Sequence, residues 1–240
     1  MRGYIDLHSH VLPGLDDGPQ TVDDARELAR ALFQLGFSTL HPTPHQKSGS
    51  WTPTATERQA AQRALSDALA GDDGPELAPA GGENMWDELF LQRQTDRSYP
   101  TYAGDKAFLL ELPPSSVPPQ LEQRLFDFQL QHQRLPVLAH VERYLILTDD
   151  LDRVEALSQR AALLVNLATL GGLGGWRLRR RARKLVERGL IHAASTDAHS
   201  QRDVEPTAAG IRWIASNLGD NAVSELLISG PRAILAGALP

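Results

Sequence analysis

The chain has no cysteine in its 240 residues. That excludes a disulfide framework, a thiolate zinc site and a cysteine nucleophile. It also has no excess of positive charge. The formal charge of −6 disfavours a nucleic-acid binder held by phosphate contacts, although local basic patches can survive it. No stretch approaches about 18 uninterrupted apolar residues, so no membrane span is expected. The first residues run straight into Asp6-Leu7-His8-Ser9-His10 without the apolar region of a signal peptide, and the expected location is cytoplasmic. There is no internal repeat and no low-complexity linker, so a single domain over 1–240 is expected. Its 41% hydrophobic content supports a core that folds without disulfides or a structural metal.

What is present is an alternation of short apolar runs with amphipathic ones, the pattern of a parallel α/β sheet. Seven strand-like runs stand out, beginning at Tyr4, Phe37, Leu77, Phe108, Val137, Leu163 and Leu190. Thr21-x-x-Asp24 predicts a helix ending near Gly36, and Thr54-x-x-Glu57 another running to about Ala70 before the turn Gly71–Pro75. A third follows Pro118-Pro119 with Leu121, Leu125 and Phe128 at helical spacing. A basic helix is predicted from about Trp176 to Arg188, stopped by Gly189. From Thr207 onward the pattern reads as two helices split near Gly219-Asp220 and a short one after Pro231.

The chemistry-bearing residues sit in or just after the loops that follow these runs. They are His8, His10, Asp17, His45, Glu83, Glu111, His140, Asp197 and His199. A parallel β/α array gathers the carboxyl ends of its strands on one face, so residues distant in sequence converge there. A mixed imidazole and carboxylate set of this size can hold more than one divalent cation, which points to metal-assisted hydrolysis. Asp6-x-His8-x-His10 is the sharpest signal. At a strand period of two the three share a side, and Asp6 is placed to orient one imidazole. Asp197-x-His199 repeats the pair at the last strand. Glu111 ends an apolar run where a lone carboxylate is costly to bury. Glu83 follows Gly81-Gly82, which permits close backbone approach, and it also reads as a plain loop acid. His45 and His140 read equally as ligands or as hydrogen-bonded structural histidines. Asp16-Asp17-Gly18 is a turn sequence in which either aspartate is a candidate. His41, His132 and His192 lie outside the pattern and read as packed groups. The basic run Arg177–Lys184 reads as a solvated helix face, or else as a docking surface for an acidic partner or anionic membrane.

The ordered segments Asp6-Leu7-His8-Ser9-His10, Asp16-Asp17-Gly18-Pro19, Thr43-Pro44-His45, Gly82-Glu83, Leu110-Glu111-Leu112, Ala139-His140-Val141-Glu142-Arg143-Tyr144 and Ser195-Thr196-Asp197-Ala198-His199 resemble the polymerase-and-histidinol-phosphatase (PHP) superfamily. Within it they are most similar to the bacterial manganese-dependent protein-tyrosine phosphatases of capsule and exopolysaccharide operons. The resemblance implies an α/β fold, a distorted seven-stranded β/α barrel of the PHP type, with a trinuclear metal centre. It makes the nine residues above its ligands, assigns Arg143 to phosphate binding, and favours manganese, where oxygen and nitrogen ligands alone suit iron or zinc as well. It implies hydrolysis of phosphotyrosine by a metal-activated hydroxide, with a phosphorylated bacterial tyrosine autokinase as partner. His199 or a metal-bound water is placed to help the leaving group. Other readings are a PHP phosphatase of a small metabolite such as histidinol phosphate, and an inactive kinase-docking scaffold. The family's Arg-Pro pair after the last Asp-x-His is missing, because Glu205 precedes Pro206 and the nearest arginine is Arg202. Arg202 is therefore the candidate for a second phosphate contact. Thr196 stands where the family commonly has serine.

Overall fold

Strands buried on both faces read as near-continuous apolar runs, and the chain divides such runs between two cores by simple alternation. The protein is described here from a computed structural model covering residues 2–71 and 73–240. Nine short strands are present among the described residues: β1 (Tyr4–Ser9), β2 (Phe37–Pro42), β3 (His45–Gln46), β4 (Glu76–Leu77), β5 (Glu83–Met85), β6 (Ala107–Glu111), β7 (Leu135–Leu138), β8 (Ala162–Asn166) and β9 (Ala193–Ser195). All sheet pairings are parallel. One sheet has the order β1-β2-β4 and the other β3-β5-β6-β7-β8-β9. Phe108, Leu110, Leu138, Leu163 and Val165 enter a large core shared with the helices. Their alternates Leu109, Val137 and Leu164 join Ile5 and Leu7 of β1 in a second, smaller cluster. One face of the six-stranded sheet can meet β1 of the other sheet only if the sheet curls.

Seven strands were expected, and the structure adds two short ones, β3 beyond the run at Phe37 and β5 beyond the run at Leu77. Phe37–Gln46 is split at Thr43-Pro44, and the run from Glu76 to Met85 at Pro79 to Gly82. Proline removes a ladder donor, which confines it to strand edges and breaks. Single hydrogen bonds still link the pieces: Thr43 N–H donates to Ser9 O (2.9 Å), Gly81 N–H to Pro42 O (2.9 Å) and Glu83 N–H to Pro44 O (3.0 Å). At the opposite edge β1 meets the segment after β9 through a Ser9–Ala198 bridge. There, Asp197 N–H donates to His8 O (2.8 Å) and His10 N–H to Ala198 O (3.0 Å).

The helices are α1 (Val22–Leu35), α2 (Ala55–Leu69), α3 (Glu88–Asp96), α4 (Leu121–Asp127), α5 (Leu145–Thr148), α6 (Leu151–Ser158), α7 (Leu167–Gly171), α8 (Trp176–Glu187), α9 (Val204–Ser224) and α10 (Gly230–Leu235). The caps foreseen for the first two are present. Thr21 Oγ1 accepts from Asp24 N–H, and Thr54 and Glu57 form a reciprocal box. Gly36 ends α1 with a φ of 112°. Asp72, in the turn expected after α2, lies outside the described residues. The third predicted helix continues past α4 as a π turn, Phe128–His132. α9 begins at Val204, three residues earlier than expected, and Gly219 breaks it as the pattern indicated. On α8, Ala182, Leu185 and Val186 face the core. Arg177, Arg179 and Arg180 are exposed, Arg181 pairs with Asp149, and Arg183 turns in to hydrogen-bond Leu170 O.

Candidate metal centre

Glu83 opens β5, and its carboxylate is the hub of the site. Oε1 lies 3.2 Å from His8 Nε2 and 2.9 Å from His140 Nε2, while Oε2 lies 2.7 Å from His45 Nδ1 and 3.5 Å from His10 Nε2. Asp197 Oδ1 is 3.1 Å from His8 Nε2 and 3.5 Å from His10 Nε2. Glu111 Oε1 approaches His140 Nε2 at 3.8 Å. Asp17 Oδ1 stands 3.4 Å from the Nε2 atoms of both His45 and His199. All nine expected residues are thus brought together. Their donor atoms form overlapping groups within 4.8 Å: His10, Asp17, His45 and His199; His8, His10 and Asp197; His8, Glu83 and His140; and His45, Glu83 and Glu111.

The residues fit metal ions better than they fit one another. His8 Nε2, His10 Nε2, His45 Nδ1 and Glu83 Oε2 are buried, and none has a hydrogen-bond partner. Yet each lies within 3.5 Å of an oppositely charged group. The distances are those of ion pairs, but the angles are wrong for donation. Lone pairs that converge on a shared space instead of on each other suit a cation between them, and leaving them unpaired would be expensive. Hard oxygen and imidazole donors without sulfur suit manganese, iron or zinc.

Electrostatics agree. Burial pushes the Glu83 and Asp197 carboxyls up, but neighbouring charges outweigh it: His8 leads in each case, and both stay well below the usual carboxylate range. Burial pushes His8 down, and Glu83 and Asp197 carry it up instead to about 9. His10 likewise rises above the ordinary imidazole range against its burial, chiefly through its hydrogen bond to Asp16. Glu111 is raised to about 8 by burial and then by the charge of Glu83. Burial, reinforced by His10, lowers His199. That direction favours the neutral imidazole a metal ligand needs.

The orienting contacts correct two expectations. Asp6 does not reach an imidazole. A hydroxyl and two backbone N–H groups occupy its carboxylate, which accepts from Thr196 Oγ1 (2.6 Å), Thr196 N–H and His8 N–H. Threonine in place of serine therefore keeps the hydroxyl contact. Asp16 takes the orienting role, with Oδ2 at 2.7 Å from His10 Nδ1 and accepting from His45 N–H. Asp17 is half-exposed and faces the ligands. Thr43 Oγ1 holds His8 Nδ1 at 2.7 Å. Asn166 caps α7 with Oδ1 and donates from Nδ2 to Asp197 Oδ2. Thr43 lies in the Thr43-Pro44-His45 segment but was given no role there, and Asn166 carries no motif. Only their positions at strand ends beside the ligand loops signal them. Gly81 and Gly82 allow close approach, but to Thr101 and Pro100 instead of to the site. At Gly18 a side chain would collide with the His10 carbonyl. His140 (φ 32°) and Asp197 (φ 49°) sit in the left-handed region, costing about 1–3 kcal/mol each, as ligand positions often do.

Arg143, in the turn after β7, donates from Nη2 to Asp197 Oδ2 at 2.5 Å. It lines a cleft of about 560 Å³ over the centre, with Asp17, His45, Glu111, His140, Asp197 and His199. Arg202 does not line that cleft. The Ser200–Asp203 box, with Asp203 Oδ2 accepting from His199 N–H and Ser200 N–H, fixes a turn that leaves Arg202 exposed. The second cation on the cleft wall is Lys47. Three histidines stand apart, as read: His41 is against Tyr102, His132 on Tyr99 Oη, and His192 accepts from Leu163 N–H.

Comparison with known proteins agrees with this geometry. The family model described as capsular polysaccharide synthesis, CpsB/CapC, matches residues 4–236. The chain is 33% identical to tyrosine-protein phosphatase YwqE of Bacillus subtilis over 82% of its own length and 77% of that protein. It is 26% identical to tyrosine-protein phosphatase CpsB of Streptococcus pneumoniae over 98% of its length and 99% of that protein. Among solved structures, a chain from the study of those two proteins as unique metal-dependent tyrosine phosphatases superposes with a TM-score of 0.87. It shares 27% identity, covering 98% of this chain and 95% of that one. A phosphotriesterase homology protein from Escherichia coli, 12% identical with a TM-score of 0.57, shares the fold.

Proposed function

This chain belongs to the CpsB/CapC family of capsular polysaccharide synthesis, and from that premise we propose that it is a metal-dependent phosphatase that hydrolyses phosphotyrosine in protein. The observation that carries the proposal is the convergence of nine nitrogen and oxygen donors beside a single arginine at the base of one cleft. The same nine residues are the proposed ligands, with manganese favoured by the resemblance of the motifs and two or three ions by the overlap of the groups. The proposed partner is a phosphorylated bacterial tyrosine kinase. We take β2 with β3, and β4 with β5, as interrupted staves of a seven-membered barrel within one domain. The bonds across the breaks and the bridge from Ser9 to Ala198, just after β9, support that count.

Divalent ions held there would activate water at neutral pH and neutralise charge on the phosphoryl oxygens. The chain's own residues supply the rest. Arg143 is placed to fork onto two phosphoryl oxygens, a contact that strengthens as charge moves in the transition state. Asp16, Thr43 and Asn166 hold His10, His8 and Asp197 in place. A phenol leaves with a pKa near 10, so it needs less proton help than an alkyl alcohol. The test is hydrolysis of matched phosphotyrosine and phosphoserine peptides and of histidinol phosphate with several metals. Preference for phosphotyrosine supports the proposal. Preference for histidinol phosphate makes the protein a metabolite phosphatase, and turnover of none makes it a scaffold.

A further inference from the structure

Most of the residues that line the cleft are polar. Trp51 and Leu173 are the only large apolar side chains among the residues that line it, and Lys47 and Arg143 the only lysine and arginine. Two of these four come from one short hairpin. Lys47 N–H donates to Trp51 O (2.6 Å), Trp51 N–H donates to Lys47 O (3.1 Å), and Gly49 turns the chain with a φ of 74°. The hairpin is fixed from below. Ser48 N–H donates to Asp87 Oδ2 (2.7 Å), Ser48 Oγ donates to Glu88 Oε1 (2.8 Å), and Asp87 in turn caps α3. The half-buried Trp51 indole lies nearly parallel to the His45 imidazole, with centroids 5.2 Å apart and planes at 18°. His45 touches Glu83, so the indole sits one ring beyond the metal centre. Lys47 makes no ion pair among the described residues, whereas Arg143 is bound to Asp197.

We propose that the Lys47–Trp51 hairpin is the substrate-selecting wall of the cleft. Trp51 offers the face on which the aryl ring of a phosphotyrosine packs, and Lys47 supplies the second cation for its phosphoryl group. This inference rests on the phosphatase reading above. It assigns to Lys47 the work for which Arg202 is wrongly placed. A rigid apolar plane one ring from the centre discriminates by reach. A ring bonded directly to the ester oxygen meets it, and the short alkyl chain of serine phosphate does not. Because the hairpin is anchored, its contacts need little ordering on binding.

The experiment is calorimetric titration of manganese-loaded protein with phenylphosphonate and methylphosphonate, which share a head group and differ only in the ring. Packing against one aromatic face is worth about 3- to 10-fold in affinity. Trp51→Ala should therefore weaken phenylphosphonate by that factor and leave methylphosphonate within about twofold, with Trp51→Phe retaining most of the difference. Lys47→Ala should weaken both about tenfold, and Lys47→Arg should restore both. Metal content, measured on each variant, should match the wild type. Equal weakening of both ligands by Trp51→Ala would mean that the indole only shields His45, and it would overturn the aryl assignment. Unchanged affinities in Lys47→Ala would overturn the cation assignment. If loaded wild-type protein bound neither phosphonate, the phosphatase reading would fail first, and this inference with it.

Discussion

Arg143 and the aspartate pair show how much a single side chain decides here. Arg143→Ala should lower kcat about 30- to 1,000-fold, the cost of one charge-assisted contact of roughly 2–4 kcal/mol that tightens in the transition state. Metal content, read by elemental analysis, should not change. Arg202→Ala should keep wild-type kinetics, because Arg202 lies on the outside of its turn. Asp16 and Asp17 should separate cleanly. Asp17→Asn removes a donor that faces two imidazoles. Asp16→Asn only loosens the orientation of His10, and outer contacts of that kind are worth about 10- to 100-fold in metal affinity. Competitive metal titration should therefore rank Asp17→Asn as the more damaging, and the reverse order would reassign the ligand. The sequence exposed the nine donors because imidazoles and acids after apolar runs are chemically conspicuous. It did not expose Asn166, Lys47 or Trp51, nor the role of Thr43 within its motif. A hydroxyl, an amide, a lysine and an indole are ordinary in loops, and only the fold sets them against the ligands.

At the scale of elements, long helices with end signals were legible, whereas α3, α6 and α7 were not, although Asp87, Asp150 and Asn166 cap them. α1, α2 and α8 carry caps or a glycine stop. α5 and α7 span only 4 and 5 residues, too few to show a period of 3.6. The last strand was read as starting at Leu190, whereas β9 starts at Ala193. Leu190 to His192 lead into it, and there the His192 ring accepts from Leu163 N–H. Burial lowers His192 to about 4, so the folded chain holds it neutral. That contribution to stability is complete above the unfolded imidazole value near 6.5 and is lost as pH falls from there toward 4. His192→Asn can still accept the Leu163 bond without taking a proton. Urea denaturation of metal-free protein should show a smaller loss of stability between pH 6.5 and 4.5 in this variant than in the wild type, by up to about 2–3 kcal/mol. Parallel pH profiles would show that His192 titrates freely.

For the whole molecule, the decisive property is that a cysteine-free chain concentrates four carboxylates and five imidazoles at one end of a curled parallel sheet. Without metal, that cluster binds protons: His8 and His10 lie above the ordinary imidazole value and Glu111 above the ordinary carboxyl value. Metal loading must displace those protons, so uptake should acidify a weakly buffered solution at neutral pH, and affinity should fall as pH is lowered. Uptake without proton release would contradict this electrostatic picture. The fold class was legible because the alternation of strand and helix survives even where prolines interrupt two strands. The interruptions themselves depend on which backbone donors find partners, and no periodicity reports that. The central claim is that the nine donors hold metal for phosphotyrosine hydrolysis, and its most direct test is a single assay. Phosphotyrosine peptide turnover is measured for protein stripped by exhaustive chelation, for the same sample after manganese is restored, and for restored protein treated with a thiol-alkylating reagent. The prediction is no turnover, full turnover and undiminished turnover in that order. Full turnover by the stripped sample with metal loss confirmed, or none by the restored one, would contradict it.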